Sequence, residues 1–223
     1  MGFVVAIDGP AGSGKGTVTK LVAEKRNLVS IDTGAMYRCV TLDCINNGID
    51  YNNIEGIKRI LDNIKIELKK ENGEQKVYLN GEDVSKEIRE PRVNDLVSEF
   101  SAIKEVRAKI TPMQQKMGET ENIIMEGRDI GTVVFPNADV KIFLDCDVRE
   151  RAKRRFIQNQ KEGIESTYEE ILENIIKREK INSTREIAPF VKAEDAIYLD
   201  STNLTIEQVV EKVIELIDAK KGM

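Results

Sequence analysis

The residues best suited to chemistry stand at the start of the chain. Gly9, Pro10, Ala11, Gly12, Ser13, Gly14, Lys15, Gly16 and Thr17 meet the spacing GxxxxGK through Gly9, Gly14 and Lys15. That pattern belongs to a turn whose backbone N–H groups converge on an oxyanion. Gly12 and Gly16 keep side chains out of the path of an approaching phosphate. A helix that follows such a turn adds the positive end of its dipole, and Lys15 brings a mobile charge suited to the β and γ phosphates of a nucleoside triphosphate. One position departs from the usual pattern. The residue after Lys15, commonly a hydroxyl residue that serves a metal ion, is Gly16, and Thr17 comes one place later.

The elements around this turn are those it needs. Residues 4–7 form an apolar, β-type run, and residues 17–25 place Val18, Leu21 and Val22 on one helical face. Further apolar runs at 28–31, 123–126, 140–144 and 196–199 are each bounded by polar residues or glycine, and helical patterns at 35–46, 94–117, 149–161, 168–181 and 205–219 lie between or after them. Short buried strands alternating with longer helices predict an α/β fold: a doubly wound, five-stranded parallel sheet carrying a phosphate loop. Ile206, Val209, Val210, Val213, Ile214 and Ile217 recur at helical spacing and are expected to pack on the core. Residues 64–84 break the rhythm, because IKIELKK and QKVYLNGEDV flank Glu71, Asn72, Gly73 and Glu74. They predict an antiparallel hairpin turning at Asn72 and Gly73. A hairpin does not fit a βαβ succession, so a small inserted domain is expected at residues 33–100, inside a core of residues 1–32 and 101–223 with a short lid at about 149–185.

In such a sheet, ligands bind beyond the carboxyl ends of the strands, and three of the predicted strand ends carry polar groups. The second runs into Asp32, Thr33 and Gly34, where Thr33 can cap the next helix and Arg38, one turn in, can take a phosphate bidentately. The third runs into Glu126, Gly127, Arg128, Asp129, Ile130 and Gly131, a site loop between two glycines. The fourth leads to Asp145 and Asp147 and then a basic helix in which Arg151, Arg154 and Arg155 fall three and four residues apart on one face. Glu150 can pair with Arg154 there, and Arg178 and Arg185, around Asn182, extend the cationic supply.

Composition narrows the partners. With 34 basic against 39 acidic residues, a net charge of −5 and 223 residues, the chain has the length for one sizeable core with an insertion and lacks the basic footprint of a nucleic-acid binder. There is no histidine, so no site built on an imidazole nucleophile or base is available. Cys39, Cys44 and Cys146 form no CxxC pair and point to reduced thiols. No run of about 18 apolar residues is present, and the first strand starts almost at the N-terminus. No membrane span and a cytoplasmic location are expected.

In order along nearly the whole chain, GPAGSGKGT, DTGAMYR, EGRDIGTVVFP and NSTREIAPF resemble the bacterial cytidylate kinases. The first segment is shared by many nucleoside monophosphate kinases, whereas EGRDIGTVVFP is diagnostic. The resemblance implies ATP-dependent phosphorylation of CMP and dCMP, with Mg2+ accompanying ATP and no protein metal ligand assigned. It implies that Thr33, Arg38 and Arg128 hold the acceptor phosphate, and that Ser98, Arg107, Asp129 and Arg185 line the cytosine and sugar pocket. Lys15, Arg128 and the lid arginines Arg154 and Arg178 would then act on the transferring phosphoryl group. Ser98 and Arg107 rest on the resemblance alone, since in the sequence both pass for exposed helix residues. The family usually carries aspartates where this chain has Glu179 and Asn182, and the second of those lies near the ribose hydroxyls, which puts the ribose–deoxyribose preference in question. The expected partners are ATP, CMP and dCMP, with neither a nucleic-acid polymer nor a membrane, and a monomer is expected. Two other classes share the phosphate loop. Another nucleoside monophosphate or small-molecule kinase would change the acceptor pocket, and a P-loop ATPase or switch would need the metal-binding hydroxyl that Gly16 replaces.

Overall fold

A computed structural model describes residues 2–71, 74–119 and 121–222. The chain divides into two compact units, one of Met1–Ile31 with Gln115–Met223 and one of Asp32–Gln114.

The first unit is built on the parallel sheet. Strand β1, Val4–Asp8, is buried at every position and pairs in parallel with β6, Ile123–Gly127, on one side and β7, Val140–Asp145, on the other. Strand β8, Ile197–Asp200, pairs with β7, and β2, Val29–Asp32, completes the order β2-β6-β1-β7-β8. The continuous Val, Ile and Leu runs of β1, β6 and β7 follow from burial on both faces. Helices α1, Lys15–Arg26, and α8, Ile206–Lys221, pack on the sheet through Val18 and Val22 and through Val209, Val210, Val213 and Ile217, as the apolar spacing in both segments predicts.

Helix α6, Val148–Glu162, starts at Asp147, whose side chain accepts from the amides of Arg149 and Glu150. Helix α7, Tyr168–Thr184, opens with a reciprocal capping box between Thr167 and Glu170. The two pack through Ala152, Ile171 and Ile175. After β6 comes one turn of π-helix, Ile130–Val134, where the sequence suggested only a loop; such single π turns occur frequently at functional sites.

The second unit holds α2, Thr33–Asn46; α3, Ile54–Asn63; an antiparallel sheet of β3, Ile66–Glu71, β4, Glu74–Leu79, and β5, Glu82–Asp83; then α4, Pro91–Ala102, and most of α5, Lys104–Met117. The hairpin register pairs Ile66 with Leu79 and Leu68 with Val77. The turn expected at Asn72 and Gly73 lies outside the described residues. Three local features differ from the sequence reading. Helix α3 is found where no helix was expected, capped by Asn53. The single helix expected over 94–117 is broken at Ile103, whose backbone is extended. Most of α5 also groups with the second unit, beyond the boundary expected at residue 100.

Candidate active site

The phosphate loop joins β1 to α1. Gly14, the residue before α1, has φ 90° and contributes no side-chain cap, so the first amides of the helix meet no carboxylate or hydroxyl from the capping position. No acidic residue stands in the first turn either. A glycine cap ahead of a lysine thus leaves the positive end of α1 directed at whatever anion enters the loop. Lys15 is buried, with Nζ donating to the Pro10 carbonyl at 2.7 Å and to Ser13 Oγ at 3.4 Å. Gly9 is required by a close approach: a Cβ there would lie 2.0 Å from the carbonyl oxygen of Leu144 on β7. Ser201 Oγ lies 2.9 Å from the Asp145 carbonyl oxygen and 3.3 Å from that of Ser13, so its single hydrogen is shared between β7 and the loop and the segment after β8 lies against both.

A further brace of the loop is a residue that the sequence placed only within a basic run. Arg151 is buried; its Nε donates to the Cys146 carbonyl at 2.8 Å and its Nη1 to the Ala11 carbonyl at 3.0 Å. It is also ion-paired with Glu179 on α7. The three arginines assigned to one face therefore do different things. Arg154 pairs with Glu150 at 3.1 Å, as the i,i+4 spacing suggested, and donates to the Ser201 and Thr202 carbonyls, while Arg155 reaches Gln158. Arg151, Glu179, Pro10, Asp145, Cys146 and Phe190 line a cavity of about 470 Å³ beside the loop.

The strand-end loop after β6 carries Arg128 and Asp129. Asp129 and Arg185 are both buried and 3.4 Å apart. Arg185 Nη1 donates to Asn182 Oδ1 at 3.5 Å and its Nε to the Ala188 carbonyl at 2.6 Å. Asn182, also buried, donates through Nδ2 to the Arg178 carbonyl and accepts at its own carbonyl from the Phe190 amide. Arg128 lies 5.8 Å from the centre of the Phe190 ring. One unit thus gathers Asp129, Asn182 and Arg185 in a single polar network, with Arg128 beside it over Phe190. Asp8, ending β1, accepts from the amides of Ile130 and Gly131 at 2.8 Å each. Burial pushes its carboxyl up to about 6, helped by Asp129 and opposed by the two amides and Lys15. The carboxylate of Glu126 points toward Gly16, whose Cβ would lie 3.0 Å from Glu126 Oε1.

The second unit carries Thr33, Arg38, Ser98 and Arg107. Helix α2 is capped by Asp32, which accepts from the Ala35 amide at 3.2 Å. Thr33 is instead the first helical residue and is buried, so the capping role read from the sequence belongs to its neighbour. Arg38 donates to Asp32 at 2.6 Å, and Arg89 stands 3.6 Å from the same oxygen. Burial opposes ionisation of Asp32, yet the two guanidinium groups hold its carboxyl below the ordinary range. Ser98 and Arg107 are 2 % and 3 % exposed, not surface residues as their helical positions suggest. Arg107 lies 5.3 Å from the Tyr37 ring centre and donates to the Ser101 carbonyl at 3.0 Å, and Ser101 Oγ donates to the Ser98 carbonyl. A buried guanidinium over an aromatic ring, held by a backbone carbonyl, is a construction suited to a planar, polar ligand.

Each unit therefore carries its own cluster of buried cationic and polar side chains. The family model described as cytidylate kinase matches residues 5–219. This chain belongs to the cytidylate kinase family. A cytidylate kinase of Acholeplasma laidlawii is 51 % identical over 222 residues, covering 100 % of this chain and 98 % of that protein. Another, of Caldicellulosiruptor saccharolyticus, is 50 % identical over 212 residues, covering 95 % and 94 %. Among solved structures, a gluconokinase from Sinorhizobium meliloti 1021 matches with a TM-score of 0.51 at 11 % identity, covering 99 % of this chain and 94 % of that one. The last likeness concerns the fold alone.

The residues missed by sequence reasoning are Asp8, Arg151 and Ser101. Asp8 had a visible signal, a carboxylate ending an otherwise apolar strand just before Gly9. Arg151 had none that set it apart from Arg154 and Arg155. Burial of all three cysteines, with Cys39 and Cys44 pushed up to about 12 and Cys146 raised by the same cause, leaves them as packing groups.

Proposed function

We propose that this chain transfers the γ-phosphoryl group of ATP to CMP and dCMP, giving CDP and dCDP. The observation that carries this reading is an anion-gripping loop, Lys15 included, heading a chain that matches the cytidylate kinase model over residues 5–219. In the reading, residues 9–17 hold the donor phosphates through backbone amides and Lys15. Thr33, Arg38 and Arg128 hold the acceptor phosphate, and Ser98, Arg107, Asp129, Asn182 and Arg185 serve the base and sugar. The residues from Asp32 to Gln114 act as the acceptor-binding insertion, and α6 with α7 as the lid.

A phosphate monoester has a second pKa near ~6, so the acceptor is largely a dianion at neutral pH and needs no strong base. That suits a chain without histidine. The work left to the protein is alignment, charge neutralisation and exclusion of water. Lys15, Arg128, Arg154 and Arg178 are assigned the neutralisation. Arg154 is held here by the Ser201 and Thr202 carbonyls, so its contact with the transferring group requires those bonds to open.

Magnesium fits the oxygen donors present. It favours one or two carboxylates together with substrate phosphates, and the Glu126 carboxylate beside Gly16, with the Thr17 hydroxyl one residue on, supplies hard oxygen at the place where the loop lacks a hydroxyl. The ion would neutralise charge on the ATP phosphates. The reading includes a monomer that acts on free cytoplasmic nucleotides; among the described residues no helix is long and apolar enough to cross a membrane.

A coupled assay of ADP release with ATP and magnesium, run against CMP, dCMP, UMP, AMP, GMP and TMP, tests the assignment. Fastest turnover with CMP and dCMP is expected, and Lys15→Met should lose most of it. Preference for a purine acceptor, or ATP hydrolysis that no acceptor accelerates, would remove it.

A further inference from the structure

Asp8 has no role in the reading above, yet it is among the most constrained polar groups of the first unit. It is 5 % exposed, and each carboxylate oxygen takes one backbone amide, Oδ1 from Ile130 and Oδ2 from Gly131, both at 2.8 Å across 122 and 123 residues of sequence. Those amides open the π turn directly after Arg128 and Asp129. Downstream, the turn is closed by its own bonds, from the Val133 and Val134 amides to the Asp129 carbonyl and from the Phe135 amide to that of Ile130. Upstream, the only side chain among the described residues that takes the Ile130 and Gly131 amides is Asp8.

The turn lies close against the carboxylate: a Cβ at Gly131 would meet Asp8 Oδ2 at an ordinary contact distance of 3.4 Å, with Cδ of Lys141 at 3.2 Å. Asp8 also directly precedes Gly9, the first residue of the phosphate loop. The backbone of Asp8 is held separately, by pairing with Gly127 of β6 and Phe143 of β7.

We propose that Asp8 is a positioning residue of the transfer reaction: its carboxylate fixes Arg128 and Asp129 relative to the start of the phosphate loop by clamping the two amides that follow them. The proposal rests on the assignment of Arg128 and Asp129 to the acceptor. Because the β1 backbone has its own partners, removing the clamp frees the acceptor-binding loop and leaves the phosphate loop in place. A carboxylate has acceptors for both amides; an asparagine of the same shape presents an NH2 group to one of them and leaves that buried N–H without a partner.

Steady-state kinetics of the full chain with CMP, dCMP and ATP test this. In Asp8→Asn, KM for CMP and for dCMP should rise roughly ten- to hundredfold, the loss of a buried charge-assisted bond, with KM for ATP within about twofold of wild type by the same reasoning. A purely structural carboxylate would lower thermal stability and raise no acceptor KM selectively. Unchanged acceptor KM, or equal rises for donor and acceptor, overturns the proposal. Arg128→Ala separates the two layers: if it leaves KM for CMP untouched, the acceptor assignment itself is wrong, whereas a rise there with none in Asp8→Asn removes Asp8 alone. Should Asp8→Asn not fold, amide exchange in the wild-type protein decides. Ile130 and Gly131 should be among its slowly exchanging amides, and rapid exchange at both refutes the clamp.

Discussion

Removing Arg151 tests whether the basic helix α6 braces the phosphate loop or only decorates the surface. Its guanidinium donates to the carbonyls of Cys146 and Ala11 and pairs with Glu179, and its side chain is 4 % exposed. Hydrogen bonds from a charged donor contribute about 1.5 to 3 kcal/mol each when buried. Two corrections lower the sum. The 470 Å³ cavity beside these carbonyls can admit water to rehydrate them, and Glu179, at 32 % side-chain exposure, is partly solvated when left alone. Arg151→Ala should therefore lose about 2 to 4 kcal/mol of unfolding free energy. Arg155→Ala, on the same helix and half-buried, with its one hydrogen bond among the described residues going to Gln158, should stay within about 0.5 kcal/mol of wild type. Urea denaturation followed by circular dichroism reads both. Combining Arg151→Ala with Glu179→Ala should recover about 1 kcal/mol of coupling, discounted for the exposure of Glu179. A loss below about 1 kcal/mol in Arg151→Ala, or strict additivity in the double variant, would refute the bracing role.

Three further outcomes follow from other contacts. Gly9→Ala must push a Cβ against the Leu144 carbonyl, 2.0 Å away with backbone on both sides; a loss above about 4 kcal/mol is expected, against about 1 kcal/mol for Gly81→Ala, which has open space and only a positive φ to overcome, and thermal melts within a few degrees of each other would contradict this. Asp8 has a native pKa of about 6 against an ordinary 3.8, so the folded state binds the extra proton and this group's contribution to stability falls as pH rises from about 4 to 6, by roughly 3 kcal/mol. Comparing wild type with Asp8→Asn, the wild type should gain relative stability at pH ~4.5 over pH ~7.5, and a pH-independent difference between the two refutes the titration. Asn182→Asp places a carboxylate beside Arg185 where the family usually carries one; the ratio of kcat/KM for CMP over dCMP should rise about fivefold, equivalent to about 1 kcal/mol, and an unchanged ratio rules out residue 182 as a determinant of sugar preference.

What could be recognised in advance divides along the range of the interactions. The glycine spacing before Lys15, the apolar runs that became β1, β6 and β7, and the helical stripe of α8 are local patterns, and each survived folding because backbone sterics and burial act on a few neighbouring residues at a time. The break at Ile103 and the added α3 escaped notice because propensity is weak and the surrounding packing outvotes it. Helix capping by Asp32 in place of Thr33 turned on which of two adjacent oxygens reaches the Ala35 amide, a matter of one dihedral.

Charge behaved in the same way. From the order of residues alone, Arg151, Arg154 and Arg155 are interchangeable cations, and Ser98 and Arg107 are ordinary polar residues on helices. Their residue types and the class of ligand they suit were set by sequence. Which guanidinium turned inward to the Ala11 carbonyl, which lay over the Tyr37 ring, and which reached a neighbouring glutamine on its own helix depended on partners up to 140 residues away. Likewise an aspartate before a glycine announced a strand end, but only the arrival of Ile130 and Gly131 from far along the chain gave Asp8 its two amides. Hydrogen bonds and burial are properties of position in space, and chain order constrains that position only after the strands have paired.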